Sequence, residues 1–335
     1  MNYEDLIGED FSGCISVIIN GAAEFRKAYG YADNPNRIPN RLDTRFATAS
    51  AGKVFVAAAI LRLIEDGALN LEDTIGDLLP IDWKKIDRGI TVRSLLNHTS
   101  GIPDYFDESV QTEYADLWKD YPNYKIRRNA DILPLFIDKP MMYVSGEKFQ
   151  YNNTGYVVLA LILEAITCVP FDAYLKKTIF DPCGMTDTGY YELDRLPERC
   201  ASAYIRDEET GGYYTNIYSV DVKGSGAGGA YTTVADIEKF WSCLISGALL
   251  SQAMLEKMLA PQNGDPSDPY GYGVWLRKAG EETYIPYIQG CDPGVSFVSS
   301  YDRVSRSSIT IVSNYGCNVW AIRRTFSRKF DGTFH

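Results

Sequence analysis

The chain has 335 residues, a formal net charge of −11, a hydrophobic fraction of 45% and an aromatic fraction of 13%. That is enough for one large domain or two smaller ones around a sizeable core. The charge argues against nucleic acid as the main partner, since phosphate binding needs a basic surface, and offers nothing to an anionic membrane.

Seven cysteines are scattered without a Cys-x-x-Cys, and His98 and His335 are the only histidines. We therefore expect no metal site, no cofactor, and free thiols in a reducing cytosol. Met1 to Leu6 has no basic region leading into an apolar core, and the longest apolar run, Tyr156 to Ile166, is too short to span a bilayer. The expected location is cytoplasmic.

In chain order, Cys14 to Ile19 is β-rich, Asn20-Gly21 is a two-residue turn signal, and Phe25 to Tyr31 returns. A polar segment leads to Ser50-Ala51-Gly52-Lys53, followed by Val54 to Leu61, which reads as a buried helix with Gly67 as its stop. The middle of the chain reads as helical: Thr91 to Asn97, Asn129 to Ile137 with Pro134 inside, Asn152 to Ile166 and Phe171 to Ile179. Gly224 to Gly229 reads as a tight loop before a helix that runs through Leu244. Strands follow at Tyr284 to Ile288, Val295 to Tyr301 and Ser307 to Ser313, then a closing helix, Val319 to Phe330, with a basic outer face. Strands at both ends and helices between predict an α+β chain. Residues 1–75 and 220–335 would form a discontinuous sheet domain and 76–219 a mostly helical insertion, with a ligand cleft between them.

Ser50 and Lys53 lie one turn apart at a helix start, so both face one way, next to free N–H groups and the positive dipole end. That setting can activate a hydroxyl; the plain alternative is an N-cap serine with a solvated lysine. Ser145-Gly146-Glu147-Lys148 fits the same pattern without an apolar helix behind it, and reads as a turn. In Tyr151-Asn152-Asn153 a phenol that normally titrates at about 10 would be drawn toward phenolate by a neighbouring ammonium. Asn153 could hold the lysine or a substrate carbonyl.

Ser50-Ala51-Gly52-Lys53, Leu95-Leu96-Asn97-His98-Thr99-Ser100-Gly101, Tyr151-Asn152-Asn153 and Tyr270-Gly271-Tyr272-Gly273-Val274-Trp275 together resemble the class C β-lactamase-related serine hydrolases. That group includes penicillin-binding proteins, D-aminopeptidases and lactamase-fold esterases. Gly146 to Phe149 and Gly228 to Thr233 fit as well, so the resemblance runs from Cys14 to Tyr315. It implies a β-lactamase/transpeptidase-like fold: an antiparallel sheet flanked by helices, with the site against the helical part. Ser50 would be the acylated nucleophile, Lys53 and Tyr151 would share its proton, and Asn153 would orient lysine and substrate. The Ser50 N–H and one from an edge strand would hold the oxyanion.

The group's third motif, Lys-Thr-Gly or His-x-Gly, counted back from Pro293-Gly294, falls on Ile288-Gln289-Gly290. Isoleucine replaces the basic residue. On this register Gln289 could donate to substrate, Gly290 leaves room for substrate to pair with the strand, and Cys291 supplies the second oxyanion N–H, its thiol buried and inert. His98 reads as structural. The expected partner is a small ester, amide, lactam or short peptide, with esters and amides favoured over penicillins because the carboxylate-binding cation is gone. Two alternatives stand beside this reading. One is a ligand-binding homologue without turnover. The other is a D-amino-acid amidase or peptidase whose substrate amine meets Asp104, Asp107 or Glu108.

Overall fold

The computed structural model describes residue 7 and residues 11–329. Its frame is an eight-stranded sheet: β1 (Gly13–Ile19), β2 (Ala22–Tyr29), β3 (Asn263–Asp265), β4 (Asp268–Tyr270), β5 (Trp275–Lys278), β6 (Tyr284–Asp292), β7 (Val295–Asp302) and β8 (Ser307–Ser313). Their order is β2-β1-β8-β7-β6-β5-β4-β3, every neighbouring pair antiparallel. Strand period sorts the side chains. Ile15, Val17, Tyr287, Val298, Ile309 and Ile311 form one cluster with Val319 and Phe326, while Cys14, Ile288, Phe297 and Val312 join the main core on the opposite face.

The helices that matter for the site are α1 (Lys53–Glu65), α2 (Val92–Leu96), α3 (Asn153–Thr167) and α4 (Val234–Ile245); α5 (Val319–Lys329) covers the other face of the sheet. Val54 to Leu61 are all buried, as expected of an all-round apolar helix at a domain centre, and α1 stops before Gly67 at φ +75°. Side-chain caps start the others: Thr91 accepts from Ser94 N–H, Asn152 from Gly155 N–H and Thr233 from Asp236 N–H. Apolar side chains of α1, α2, α3 and α4 share one core. Among the described residues no single helix is long and apolar enough to cross a membrane.

Several expectations need correction. Asn129–Leu135 is a 3₁₀ helix, consistent with Pro134, which lacks the N–H an α-helix interior needs. The stretch 76–219 also holds a small hairpin, Tyr204–Arg206 against Tyr213–Thr215. The basic face of α5 is not wholly outward: Arg324 is exposed, but the Arg323 guanidinium lies 5.5 Å from the centre of the Tyr287 ring. Phe330 lies outside the described residues.

Most consequential is the length of β6. It continues past Gln289-Gly290 to Asp292, pairing with Val295 around the two-residue turn Pro293-Gly294. Its pairing with β5 ends at Tyr287, so Ile288 to Asp292 form an open edge.

Candidate active site

Residues Ala49–Gly52 form a 3₁₀ turn that feeds into α1. Ala49 has a left-handed φ of +46°, a conformation rare outside glycine. It is held from both sides: Thr48 N–H donates to the Ala230 carbonyl at 2.8 Å, and Gly229 N–H donates to the Ala49 carbonyl at 3.0 Å. The glycine-rich loop therefore braces the turn that presents Ser50. A side chain at Gly228 would meet the Ala49 carbonyl at 2.3 Å.

Lys53 is 2% exposed, and its three ammonium donors all find acceptors. Nζ is 3.0 Å from Ser50 Oγ, 2.8 Å from Asn153 Oδ1 and 2.5 Å from the Ala227 carbonyl. Desolvation drives its pKa down to about 8, against the opposing pull of Glu108, Asp104, Asp292 and Asp221. Asn153 is fixed by its other atoms. Its Nδ2 donates to the Phe106 carbonyl and to Glu108 Oε1, each at 3.2 Å, which turns Oδ1 toward the lysine. Asp104 anchors the start of α3 by accepting from the backbone N–H groups of Asn153 at 2.8 Å and Thr154 at 3.0 Å.

The Tyr151 ring centre lies 4.9 Å from Lys53 Nζ, and the neighbouring Ser50 hydroxyl lowers the pKa of its phenol. Thus the fold brings Ser50, Lys53, Tyr151 and Asn153 to one point. The expected drift of Tyr151 toward phenolate does not occur. Burial, then Tyr270 and Glu108, hold the phenol well above its ordinary range despite the opposing pull of Ser50.

The third-motif strand behaves differently from its sequence reading. Strand alternation turns Gln289 to the α5 side, where Oε1 accepts from Trp320 Nε1 at 2.6 Å, so it does not face substrate. Gly290 leaves no space for a ligand on its core face: a side chain there would meet the Thr48 carbonyl at 2.3 Å, Ser50 N at 2.7 Å and Ala51 N at 2.8 Å. The missing Cβ lets the strand back directly onto the Ser50 turn. Cys291 is exposed rather than buried, and its thiol is held above the ordinary range by desolvation and then by Asp292. Asp292 and Val295 flank a two-residue hairpin turn, so they form the ladder's hydrogen-bonded pair and the Cys291 N–H points to the open edge beside Ser50. Ile288 is buried in the core.

In front of this edge is a cleft of about 770 Å³, lined by Ser50, Asn153, Glu108, Asp221, Cys291 and Asp292 among others. Its acidity was not legible beforehand, apart from Glu108. Desolvation and then Asp221 raise the Asp292 carboxyl to about 8, while Lys53 pulls it down. Asp221, also raised by desolvation, accepts from the Tyr114 hydroxyl at 2.6 Å. Asp104 and Asp107 are occupied elsewhere, Asp107 by the Ser109 N–H at 3.0 Å and hydroxyl at 2.6 Å. Ser145 lies in a turn, closed by Glu147 N–H donating to the Val144 carbonyl at 3.0 Å.

Comparison with known proteins agrees with this fold. Residues 10–322 match the family model described as Beta-lactamase. The putative penicillin-binding protein PbpX of Bacillus subtilis (strain 168) is 30% identical over 314 residues, which is 93% of this chain and 72% of that protein. The crystal structure of a penicillin binding protein from Bacillus halodurans superposes with a TM-score of 0.94 at 35% identity, covering 98% of this chain and 100% of the other. A D-amino acid amidase from Ochrobactrum anthropi SV3, complexed with D-phenylalanine, shares the fold at a TM-score of 0.79 and 24% identity, covering 98% of this chain and 96% of the other.

Proposed function

The chain belongs to the Beta-lactamase family and is a serine hydrolase, and from that premise we propose that Ser50 takes its acyl group from amides or esters bearing an ammonium rather than a carboxylate. The observation that carries the catalytic half is Lys53, placed between Ser50 Oγ and Asn153 Oδ1 with a pKa of about 8. As a free amine it keeps two N–H groups for Asn153 and Ala227, while its lone pair accepts the Ser50 proton. Only the bond to Ser50 changes direction. Ser50 Oγ attacks the carbonyl carbon, and the Ser50 and Cys291 N–H groups take the developing oxyanion. The neutral Tyr151 phenol relays the proton to the leaving amine or alcohol as its bond to carbon breaks. Water then attacks the acyl-enzyme, releasing the acid and restoring Ser50.

The substrate half rests on charge. Ile288 removes the cation that would bind a carboxylate, Glu108 lines the cleft, and Asp221 and Asp292, held toward the protonated form by burial, would be drawn toward carboxylate by an arriving ammonium. The D-amino acid amidase is in keeping with an amine-bearing substrate, although its likeness is at the level of fold. Seven free thiols support a reducing compartment.

The test is a pair of donor panels, D- and L-amino-acid amides and phenyl esters, each with a free or an acetylated amine, alongside nitrocefin. We expect free-amine donors to lead by tenfold or more in kcat/KM, and nitrocefin to turn over poorly. Equal rates for acetylated donors would overturn the charge argument. A fluorophosphonate probe should label the wild type and not Ser50→Ala; equal labelling would remove Ser50 from its role.

The pH dependence follows from the same groups. With an uncharged ester, kcat/KM should rise with pH and level off above about 8, because the amine form of Lys53 is the base. The limb belongs to Lys53 and Asp292 together, since both titrate at about 8. Glu108 raises both, so Glu108→Gln should move the limb to lower pH. A limb that stays in place would detach it from these groups.

A further inference from the structure

His98 is buried, titratable and unused by the mechanism above. It is 1% exposed and sits at φ +58°, in the left-handed region that histidine enters more readily than most side chains. Its Nε2 is buried with no hydrogen-bond partner among the described residues, so only the other ring nitrogen is engaged.

What it does contact is consecutive. The His98 carbonyl accepts from the Gln150 N–H at 3.0 Å, its Nδ1 accepts from the Asn152 N–H at 3.1 Å, and its ring packs 4.5 Å from the Tyr151 ring. Three successive residues are gripped by one. On another side Trp275 stacks on Tyr151, centres 5.9 Å apart at 17°. We propose that His98 is the positioning residue for the Tyr151 phenol, a neutral imidazole whose Nδ1 holds the neighbouring amide while its ring holds the tyrosine ring.

Other side chains supply only half of this. Phenylalanine could stack but would strand the Asn152 N–H; asparagine could accept that N–H and tolerate positive φ but would not stack. The grip requires neutrality, because imidazolium would put a second N–H at Nδ1, facing a donor. Packed on the ring are Tyr151, Tyr156 from α3, Tyr270 from β4 and Phe149, and Lys53 from α1 is the neighbouring cation that favours the neutral imidazole. Burial and then Lys53 hold the imidazole well below its ordinary range.

The proposal rests on Tyr151 as the proton relay, so its test has an arm that does not need turnover. In a crystal structure of His98→Ala, the Tyr151 ring should leave its place 4.9 Å from Lys53 Nζ; a ring that stays put overturns the proposal whatever the activity. With a phenyl ester, His98→Ala should lose at least tenfold in kcat with KM within twofold. His98→Asn, which keeps the acceptor and the backbone conformation, should recover part of the loss at an unchanged kinetic pKa. Should His98→Ala prove unable to fold, His98→Asn carries the test through its own Tyr151 position and kcat. Full activity in both variants, or a loss in kcat that follows only the fraction of folded protein, also overturns the proposal. If instead the wild type lacks Ser50-dependent labelling, the serine reading fails while the crystal arm still reports on His98.

Discussion

Replacing Lys53 by methionine should lower kcat/KM by about a hundred- to ten-thousand-fold, the range for loss of a general base, while leaving a folded protein. Two opposing terms decide the second half of that expectation. A lysine whose folded pKa lies below its unfolded value opposes folding at neutral pH. A fall from 10.5 to about 8 corresponds to an order of 3 kcal/mol at ~1.4 kcal/mol per unit, a penalty that methionine removes. Against it, Asn153 Oδ1 and the Ala227 carbonyl lose a donor, at about 1–3 kcal/mol each. The terms are of similar size, so the denaturation midpoint should move little. The activity loss then reports chemistry, and steady-state kinetics with a phenyl ester beside a urea titration separates the two. Activity retained within tenfold would show that another group takes the Ser50 proton.

The parts legible in the sequence are those fixed by local rules. Asn20-Gly21 and Pro293-Gly294 announce their hairpins because their turns need the residues they contain. Val54 to Leu61 announces a buried helix because it has no polar face, and Thr91, Asn152 and Thr233 announce helix starts because their side chains replace missing backbone acceptors. What escaped was set by packing between distant segments. Gln289 goes to Trp320 because Ile288 claims the core face of β6, a parity visible only when the sheet is assembled. The carboxyl groups of Asp221 and Asp292 reach the cleft beside Ser50 only when distant segments fold together. Tyr151 shows how the two kinds of information combine. Its proximity to the lysine follows from the motifs, but its high pKa follows from burial, and burial outweighs the ammonium. In our mechanism this gives the base role, which the sequence left shared between Lys53 and Tyr151, to the amine.

Gly290→Ala should be the most damaging single methyl group in the site. The added carbon would come within 2.3 Å of the Thr48 carbonyl and 2.7 Å of Ser50 N, distances that backbone atoms cannot share with it. A flexible side chain could swing aside, but here β6 or the Ser50 turn itself must move. The turn has little freedom, because Ala49 already occupies a left-handed conformation pinned by Gly229 N–H. Overpacking of this kind costs about 1–3 kcal/mol in stability. The greater effect should be chemical. Separating β6 from the turn pulls the Ser50 and Cys291 N–H groups apart, and a misplacement of about 1 Å is enough for roughly a hundredfold loss in rate. The expected signature is a kcat lower by two orders of magnitude with a modest fall in the urea midpoint, and slower labelling of Ser50 by fluorophosphonate, whose phosphoryl oxygen uses the same donors. Unchanged labelling would mean that the strand yields without disturbing the oxyanion site, and would place the second donor somewhere other than Cys291.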